Sequence, residues 1–316
     1  MAYDEYEATP SPPTKDWKCS FDISSELEKA KIAKKELTFH WDISREFISG
    51  NQFVQGDKTN LDINLDPTFG DTERHSKITV PLLVQIYRFM VSKLSVEVPS
   101  IAVLPASDST DDKTNPIINE MALQYYWKNN NMQKELTNLI KHLVITGNGV
   151  LHSFYDVQLD SVISKSVSPW DFFVEVGVRT IDEAMWLAIR ELVSCDELIE
   201  KYHDKEKEIM EATGVKQERG AGAIGYNTGN ERQSPASGRV EVYTVYLKNG
   251  NYGLFLLNSG QWLWQGKLPK SCRPIQHIKW TDIPDKLWGI GLIENALGLQ
   301  IYINDAVNQV ATNARL

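Results

Sequence analysis

Residues 287–316 read LWGIGLIENALGLQIYINDAVNQVATNARL, and this stretch decides how the chain is organised. Apolar side chains recur every three or four residues from Leu292 to Val310, which predicts one long amphipathic helix. Gly291 stands just before the first of them and marks the helix start, and Glu294 suits the positive end of the helix dipole. The helical period is still running at residue 316, so we expect the chain to continue beyond that residue.

One face of this predicted helix carries amide side chains. Gln300, Asn304 and Asn308 are spaced four residues apart, so they lie on the same side of the helix. Such a face is either solvated or bonded to polar groups across a subunit boundary, where an unpaired buried amide would cost about 1–3 kcal/mol. We predict that these three amides, together with Val307 from the apolar stripe, form a subunit interface. The solvated face is the alternative.

Two glycine-containing turns frame the helices of this region. Residues 146–149 read TGNG after a predicted helix, and the pattern then changes to the period of two that is typical of strands. Gly147 suits the left-handed conformation that ends many helices, and Gly149 follows it. Gly289 and Gly291 lie in the turn WGIG that precedes the last helix. We predict all four glycines as structural turn residues.

The remaining sequence mixes helical and strand patterns. Two capping boxes, at Ser25 and Ser194, each place a glutamate three residues after a hydroxyl and predict helix starts. The helical period predicts helices over residues 27–41, 42–48, 81–94, 116–128, 131–146 and 195–212. The period of two and turn signals predict strands over residues 100–106, 150–157, 161–167, 185–192, 239–248, 252–257, 261–267 and 273–280. Residues 51–73 carry neither pattern and are predicted as a loop.

The composition is that of a globular protein with one large or two ordinary domains. The chain has 316 residues, of which 42% are hydrophobic and 24% charged. The acidic, proline-rich residues 1–20 predict a mobile N-terminal arm, and the Gly/Ser/Asn-rich residues 214–238 predict a mobile loop. No run of eighteen apolar residues is present, which argues against a membrane partner. The three cysteines lie far apart and form no disulfide framework.

The sequence shows no recognisable catalytic or metal-binding motif. The six histidines are scattered, without the spacing of a zinc site, and no nucleophile elbow occurs. We therefore predict no catalytic residue, no metal and no cofactor. The formal net charge of −9 argues against a protein that grips nucleic acid, but it permits one that DNA passes without sticking.

Three stretches, in this order, resemble portal proteins of short-tailed bacteriophages, the head-to-tail connectors of tailed phages. The first is FISGNQF at residues 47–53, in which Phe53 stands where that family more often has Trp. The second runs from Ile78 to Val157 and ends HLVITGNGVLHSFYDV, and SPWDFFVE and WLAIRELVSCDELIEKY follow it. The third is WGIGLIENALGLQIYIND at residues 288–305, which resembles the turn and the amide-striped helix that lead into a portal stem.

The resemblance implies an α+β fold with a particular division of the chain. Residues 21–288 would form a portal-type wing domain of helices packed on antiparallel β-sheet. Residues 289–316 would begin a long stem helix, and residues 1–20 would be the N-terminal arm. The clip, second stem helix and crown of the family would follow residue 316.

The resemblance also implies a function without catalysis. The chain would form a homo-oligomeric ring, a dodecamer in that family, at one vertex of the virion capsid, after assembly in the host cytoplasm. Double-stranded DNA would pass through its channel non-specifically during packaging and ejection. The major capsid protein, the terminase large subunit and tail or adaptor proteins would dock on it. The alternatives are a capsid adaptor or scaffold without a channel and a polymer-acting hydrolase.

Overall fold

The computed structural model describes residues 22–57, 62–65, 78–96, 101–104, 110–156, 160–213, 239–268 and 273–314. The predicted N-terminal arm and the predicted loop 214–238 lie outside the described residues. The chain divides into two compact units. The first contains Met1–Phe39, Ser168–Arg273 and Ile283–Leu287, and the second contains His40–Val167, Pro274–Asp282 and Trp288–Leu316. The predicted boundary between a wing at 21–288 and a stem at 289–316 stays a prediction.

The described elements combine helices with antiparallel strands, as the α+β prediction requires. The helices are α1 (Ile23–Ser49), α2 (Leu82–Val96), α3 (Thr110–Asn129), α4 (Met132–Thr146), α5 (Cys195–Lys201), α6 (Glu206–Thr213) and α7 (Leu292–Asn313). The strands are β1 (Val54–Asp57), β2 (Asp62–Leu65), β3 (Asn148–Asp156), β4 (Ser161–Val167), β5 (Phe172–Val174), β6 (Trp186–Ser194), β7 (Arg239–Leu247), β8 (Asn251–Leu256), β9 (Gln261–Lys267) and β10 (Ile275–Lys279). No helix in the described part of the chain is both long and apolar enough to cross a bilayer.

The first unit is built on a five-stranded antiparallel sheet in the order β5-β6-β7-β8-β9. Successive residues of a strand point to opposite faces of the sheet, and both faces are covered here, since consecutive residues of β5 and of the first half of β6 are buried. One apolar cluster joins the start of α1 to this sheet, through Leu27, Trp186 and Tyr243 among others. A second cluster joins α5 and α6 to the sheet, and Ile209 and Leu256 are fully buried in it.

The second unit combines helices with a three-stranded antiparallel sheet in the order β10-β3-β4. In this sheet Ile275 of β10 pairs with His152 of β3, although the two strands are far apart in the sequence. The apolar core of the unit joins α2, α4 and α7 to the end of α1, with Phe47, Val144 and Ile293 at its centre. The last helix is therefore packed within this unit.

The predicted break between the first two helices is wrong, because α1 runs without interruption from Ile23 to Ser49. No Gly or Pro occurs between these bounds, and Trp41, at the predicted break, is buried. Asp42, read as the start of a second helix, pairs with Arg45 one turn later. The helix also begins before the predicted capping box.

Three further predictions need correction. The hydroxyl of Ser194 makes no capping bond, and the predicted helix over 195–212 is divided into α5 and α6 by a 3-10 turn after Tyr202, whose half-buried ring packs in the core. Residues 54–65, predicted as loop, contain the hairpin β1–β2. Residues 101–104, predicted as strand, have no regular structure.

Candidate functional site at the last helix

The amide face of α7 points into the protein. Gln300 and Asn304 are only 2% and 3% exposed, and Asn308 is half-buried. Because polar side chains are rarely buried without partners, these amides must form hydrogen bonds inside the fold. Their partners are found in the second unit, in residues 78–80, the segment that leads into α2.

The three amides bond to successive backbone groups of this segment. Asn308 accepts from the N–H of Ile78 (2.6 Å) and donates to the carbonyl of the same residue (3.1 Å). Asn304 accepts from the N–H of Val80 (3.0 Å). Gln300 donates to the carbonyl of Val80 (2.6 Å). We call Gln300, Asn304 and Asn308 the amide ladder, because they bond one after another to the backbone groups of Ile78 and Val80.

The amide ladder also caps the start of α2. The first turn of a helix leaves backbone N–H groups without partners inside the helix. Pro81, just before α2, has no N–H group, and the N–H of Leu83 donates to the Gln300 side chain (3.2 Å). A side chain of α7 thereby satisfies a buried N–H group in the first turn of α2.

A fourth amide completes the network. The Gln52 side-chain oxygen accepts from Asn304 (2.7 Å) and from Gln300 (3.3 Å). Gln300 also donates to the oxygen of Asn304 (3.0 Å). A hydrogen bond of this kind contributes about 1 kcal/mol net, but each buried group left unpaired would cost about 1–3 kcal/mol. The network therefore fixes the rotation of α7 about its own axis.

These contacts decide part of the prediction for the amide face. The solvated alternative is wrong for Gln300 and Asn304, because their side chains are buried within the chain. A role of the four predicted residues in a subunit interface stays a prediction, and Val307 is half-buried. The sequence analysis did not identify Gln52 or residues 78–83 as partners. Only the motif FISGNQF, quoted for its resemblance, draws attention to Gln52.

The four glycines predicted as turn residues lie close together where α4 ends and α7 begins. Gly147 ends α4 with φ of 76°, in the left-handed region. A Cβ atom there would overlap the backbone of Ile290, lying 2.7 Å from its carbonyl oxygen. On Gly289 a Cβ would lie 2.7 Å from the carbonyl oxygen of Gly147, and on Gly291 it would overlap the carbonyl of Ile145.

Two backbone segments therefore cross at van der Waals contact, and we call Gly147, Gly289 and Gly291 the glycine crossing. Gly149 lies beside it, where a Cβ would approach the Leu139 side chain at 3.2 Å. Only Gly147 needs its glycine for the backbone conformation, and Gly289 and Gly291 are needed for the close approach. Gly149 was predicted as a turn residue but lies within strand β3. The crossing sets the point at which α7 leaves the sheet.

Asn148 holds the glycine crossing together. Its side-chain oxygen accepts from the N–H of Gly289 (2.9 Å), and its amide donates to the carbonyls of Gly289 (3.2 Å) and Thr146 (2.8 Å). His277 of β10 lies 3.1 Å from the same oxygen through Nε2. Because that oxygen is an acceptor, Nε2 of His277 carries the proton.

The environment keeps His277 neutral. Burial and, to a lesser extent, the nearby Lys279 lower its pKa to about 4, and Asp282 opposes the shift. His152 of β3 is similar, because burial and Lys165 lower its pKa to about 4. Both histidines therefore support the structure as uncharged side chains at neutral pH.

A cluster of charged side chains lies in the first unit, and the sequence analysis did not predict it. Lys34 of α1 is buried, and its ammonium donates to the carbonyls of Pro169 (2.5 Å), Trp170 (3.1 Å) and Phe172 (2.5 Å). The same group lies 4.4 Å from the centre of the Phe173 ring. Burial lowers the pKa of Lys34, and Asp171 opposes that shift.

The carboxylates of this cluster are already engaged. Arg190 donates to Asp171 through two nitrogens (3.0 and 2.6 Å) and lies 3.6 Å from Glu241. Tyr243 donates to Glu241 (3.0 Å). This arrangement pins a 3-10 turn, Pro169–Asp171, and the sheet to α1. Within the described ranges, no three His, Cys, Asp or Glu side chains are grouped as a metal site would need.

Most of the chain matches a known protein family. Residues 40–252, which are more than half of the chain, match the phage P22-like portal protein family. The chain belongs to the phage P22-like portal protein family. The match spans most of both units and includes the end of α4 with Gly147, whereas α7 follows it. No curated protein matches the chain.

Membership of this portal family agrees with the fold observed here. The helices and antiparallel sheets form the mixed α+β structure that the resemblance implied. It also makes the chain a phage portal protein and a component of the virion, and the family is structural rather than enzymatic. In this portal chain, the contacts given above show how α7 is anchored in the second unit.

Proposed function

We propose that this chain is the repeating subunit of a ring at one vertex of a phage capsid, with a central channel for double-stranded DNA. The observation that carries the proposal is the family match over residues 40–252. A closed ring needs one heterologous contact repeated by rotation, and twelve copies is the number that the resemblance implies. The short-tailed branch rests on the motifs FISGNQF and WGIGLIENALGLQIYIND and agrees with the P22-like description.

We also propose that α7 begins a stem helix. The amide ladder fixes its rotation, and the glycine crossing fixes where it starts, so the helix leaves the sheet in one defined direction. A stem must keep that direction in every copy for a channel to have a constant bore. This proposal makes the second unit the part that carries the stem.

The proposed ring has no catalysis of its own. Its channel passes DNA during packaging and ejection, and the terminase large subunit, the major capsid protein and tail or adaptor proteins dock on it. The net charge of −9 supports the passage of DNA without tight binding, since an acidic protein offers few cations to the phosphates.

Negative-stain electron microscopy of the purified protein tests the proposal. We expect rings with a central hole, of one size class. Particles that assemble on capsids but lack a hole would favour the adaptor. A compact monomer that degrades a polymer would favour the hydrolase. Either result would overturn the ring.

A further inference from the structure

In the second half of the last helix, the polar and apolar faces are reversed relative to an ordinary surface helix. Gln300 and Asn304 of the amide ladder are buried and Asn308 is half-buried, whereas Leu299, Tyr302 and Val310 on the opposite side are 65%, 72% and 70% exposed. These side chains, with the exposed Ala306, follow the helical spacing and form one stripe. Exposed apolar stripes of this kind mark surfaces that another protein surface covers.

A second stripe of the same kind lies on α2. The inner side of this helix, with Leu83 and Met90, packs in the core of the second unit. Its outer side exposes four apolar side chains and one lysine, at alternating spacings of four and three residues. These residues are Leu82, Ile86, Phe89, Lys93 and Val96. A helix that is apolar on both sides is typical of the interior of a larger assembly, and the spacing is that of a helix-packing seam.

The charges on the two helices are complementary. Helix α2 contains Arg88 and Lys93, both exposed, and no acidic residue. Helix α7 contains Glu294 and the exposed Asp305, and no basic residue. Lys93 lies within the α2 stripe, and Asp305 lies one turn after Tyr302 at the edge of the α7 stripe. Two α2 stripes would therefore bring their Lys93 side chains together, whereas an α2 stripe against an α7 stripe brings opposite charges together.

We propose that the outer stripe of α2 in one copy docks on the outer stripe of α7 in a second copy of this chain. The proposal rests on the proposed ring function and names the surfaces through which neighbouring subunits meet. The contact is heterologous, so repeating it by rotation can close a ring. Gly298 favours close helix approach, because it is exposed and nothing lies within 4 Å of the position of its missing Cβ.

Photo-cross-linking tests this contact directly. A copy with p-benzoylphenylalanine at Tyr302 is mixed with an unsubstituted copy labelled with nitrogen-15, over a range of protein concentrations. Mass spectrometry then separates cross-links between copies from those within one copy. Tyr125 of α3, also a largely exposed tyrosine of the second unit, serves as the matched control position.

The expected result is a cross-link between copies from position 302 to residues 82–96, well above the level obtained from position 125. Cross-links to α7 of the other copy would overturn the proposal, because they would show a self-complementary contact. Cross-links confined to the same chain would overturn it too, since the chain itself would then cover the stripe. The proposal would also be overturned if position 302 gives no more cross-linking between copies than position 125.

Substitutions give an independent test in solution. Tyr302→Ser and Phe89→Ser should each weaken self-association by about tenfold or more, as loss of a large interface side chain does. Leu192→Ser, at an exposed apolar residue of the first unit, is the control and should leave self-association unchanged. Sedimentation velocity gives the association, and circular dichroism verifies that each variant is folded. Folded Tyr302→Ser and Phe89→Ser variants that associate as the control does would contradict the proposal.

The proposed α2–α7 interface and the proposed ring can be contradicted independently of each other. Open filaments that retain the α2–α7 cross-link would contradict the ring and retain the interface. Closed rings without that cross-link would retain the ring and contradict the interface.

Discussion

At the scale of single residues, Gly147 must be glycine for two reasons, its positive φ and its close contact with Ile290. An experiment can separate the two effects. Gly147 and Gly50 both have positive φ, but nothing lies within 4 Å of a Cβ on Gly50, whereas a Cβ on Gly147 would overlap Ile290. Gly50→Ala should therefore show the conformational penalty alone, about 1–2 kcal/mol. Gly147→Ala should destabilise the protein by about 1–3 kcal/mol more, because the α7 backbone must shift.

Urea unfolding of both variants and the wild-type protein measures this difference. Equal losses in the free energy of unfolding would show that the crossing tolerates a methyl group. The close contact between the backbone at Gly147 and that at Ile290 would then be contradicted.

His277 makes stability depend on pH. Its pKa is about 4 in the folded protein, against an ordinary value of 6.5. Between these values the unfolded chain binds a proton that the folded protein does not, so the free energy of unfolding falls as the pH falls. The slope is about 1.4 kcal/mol per pH unit for each such histidine, and His152 adds a similar amount.

His277→Gln should remove one of these two contributions while retaining an N–H donor towards Asn148. Urea unfolding at several pH values from 7 down to about 4.5 gives the slope. A slope unchanged by His277→Gln would mean that His277 is charged in the folded protein over this range.

At the scale of elements, the amide ladder joins α7 to the segment before α2. Replacing Asn304 and Asn308 together by Leu should destabilise the folded subunit itself by about 2 kcal/mol or more, because both backbone groups of Ile78 and the N–H of Val80 lose their partners and the oxygen of Gln52 loses one of its two donors. The effect should appear in the melting temperature at protein concentrations where the chain is monomeric.

Gln309→Leu makes a similar change on the exposed side of α7 and should leave the melting temperature nearly unchanged. If the double variant melts like this control but fails to assemble, the amides act across a subunit boundary, as the sequence first suggested.

In the first unit, Lys34 plays a comparable part for α1. Lys34→Met keeps the length and apolar stem of the side chain but leaves three carbonyls without their donor. We expect a loss of about 2–3 kcal/mol or more in the free energy of unfolding. The adjacent Lys35 is exposed, and Lys35→Met should change stability by less than about 0.5 kcal/mol. Similar losses for both variants would show that the buried ammonium contributes nothing specific.

At the scale of the whole molecule, the charge predicts weak contact with DNA. A chain with a net charge of −9 neutralises few phosphates, so little counterion release drives binding. We expect fluorescence anisotropy to show no sub-micromolar binding to double-stranded DNA at physiological salt, and no preference for sequence. Tight binding would point instead to a nucleic-acid enzyme or regulator.

Spacing patterns in the sequence were sufficient to predict those helices, strands and turns that depend mainly on neighbouring residues. The period of two predicted β7, β8 and β9, and Asn249-Gly250 predicted the turn between the first two, where Gly250 has φ of 84°. The helical period predicted α4 to within one residue, and it predicted the start of α7 at Leu292, whereas the described helix ends at Asn313. Side-chain direction follows from the backbone, so spacing alone shows which residues share a face.

The sequence by itself therefore determined that α7 is a helix with an amide face and an apolar face, but only the tertiary structure decided which face is buried. The partners of the amide ladder are backbone groups of residues 78–83, more than two hundred positions earlier. Every backbone offers the same N–H and carbonyl groups, so no side-chain pattern marks those partners. For the same reason, the sequence did not predict the carbonyl partners of Lys34 or the pairing of β10 with β3. Such long-range contacts depend on where the fold brings distant segments together.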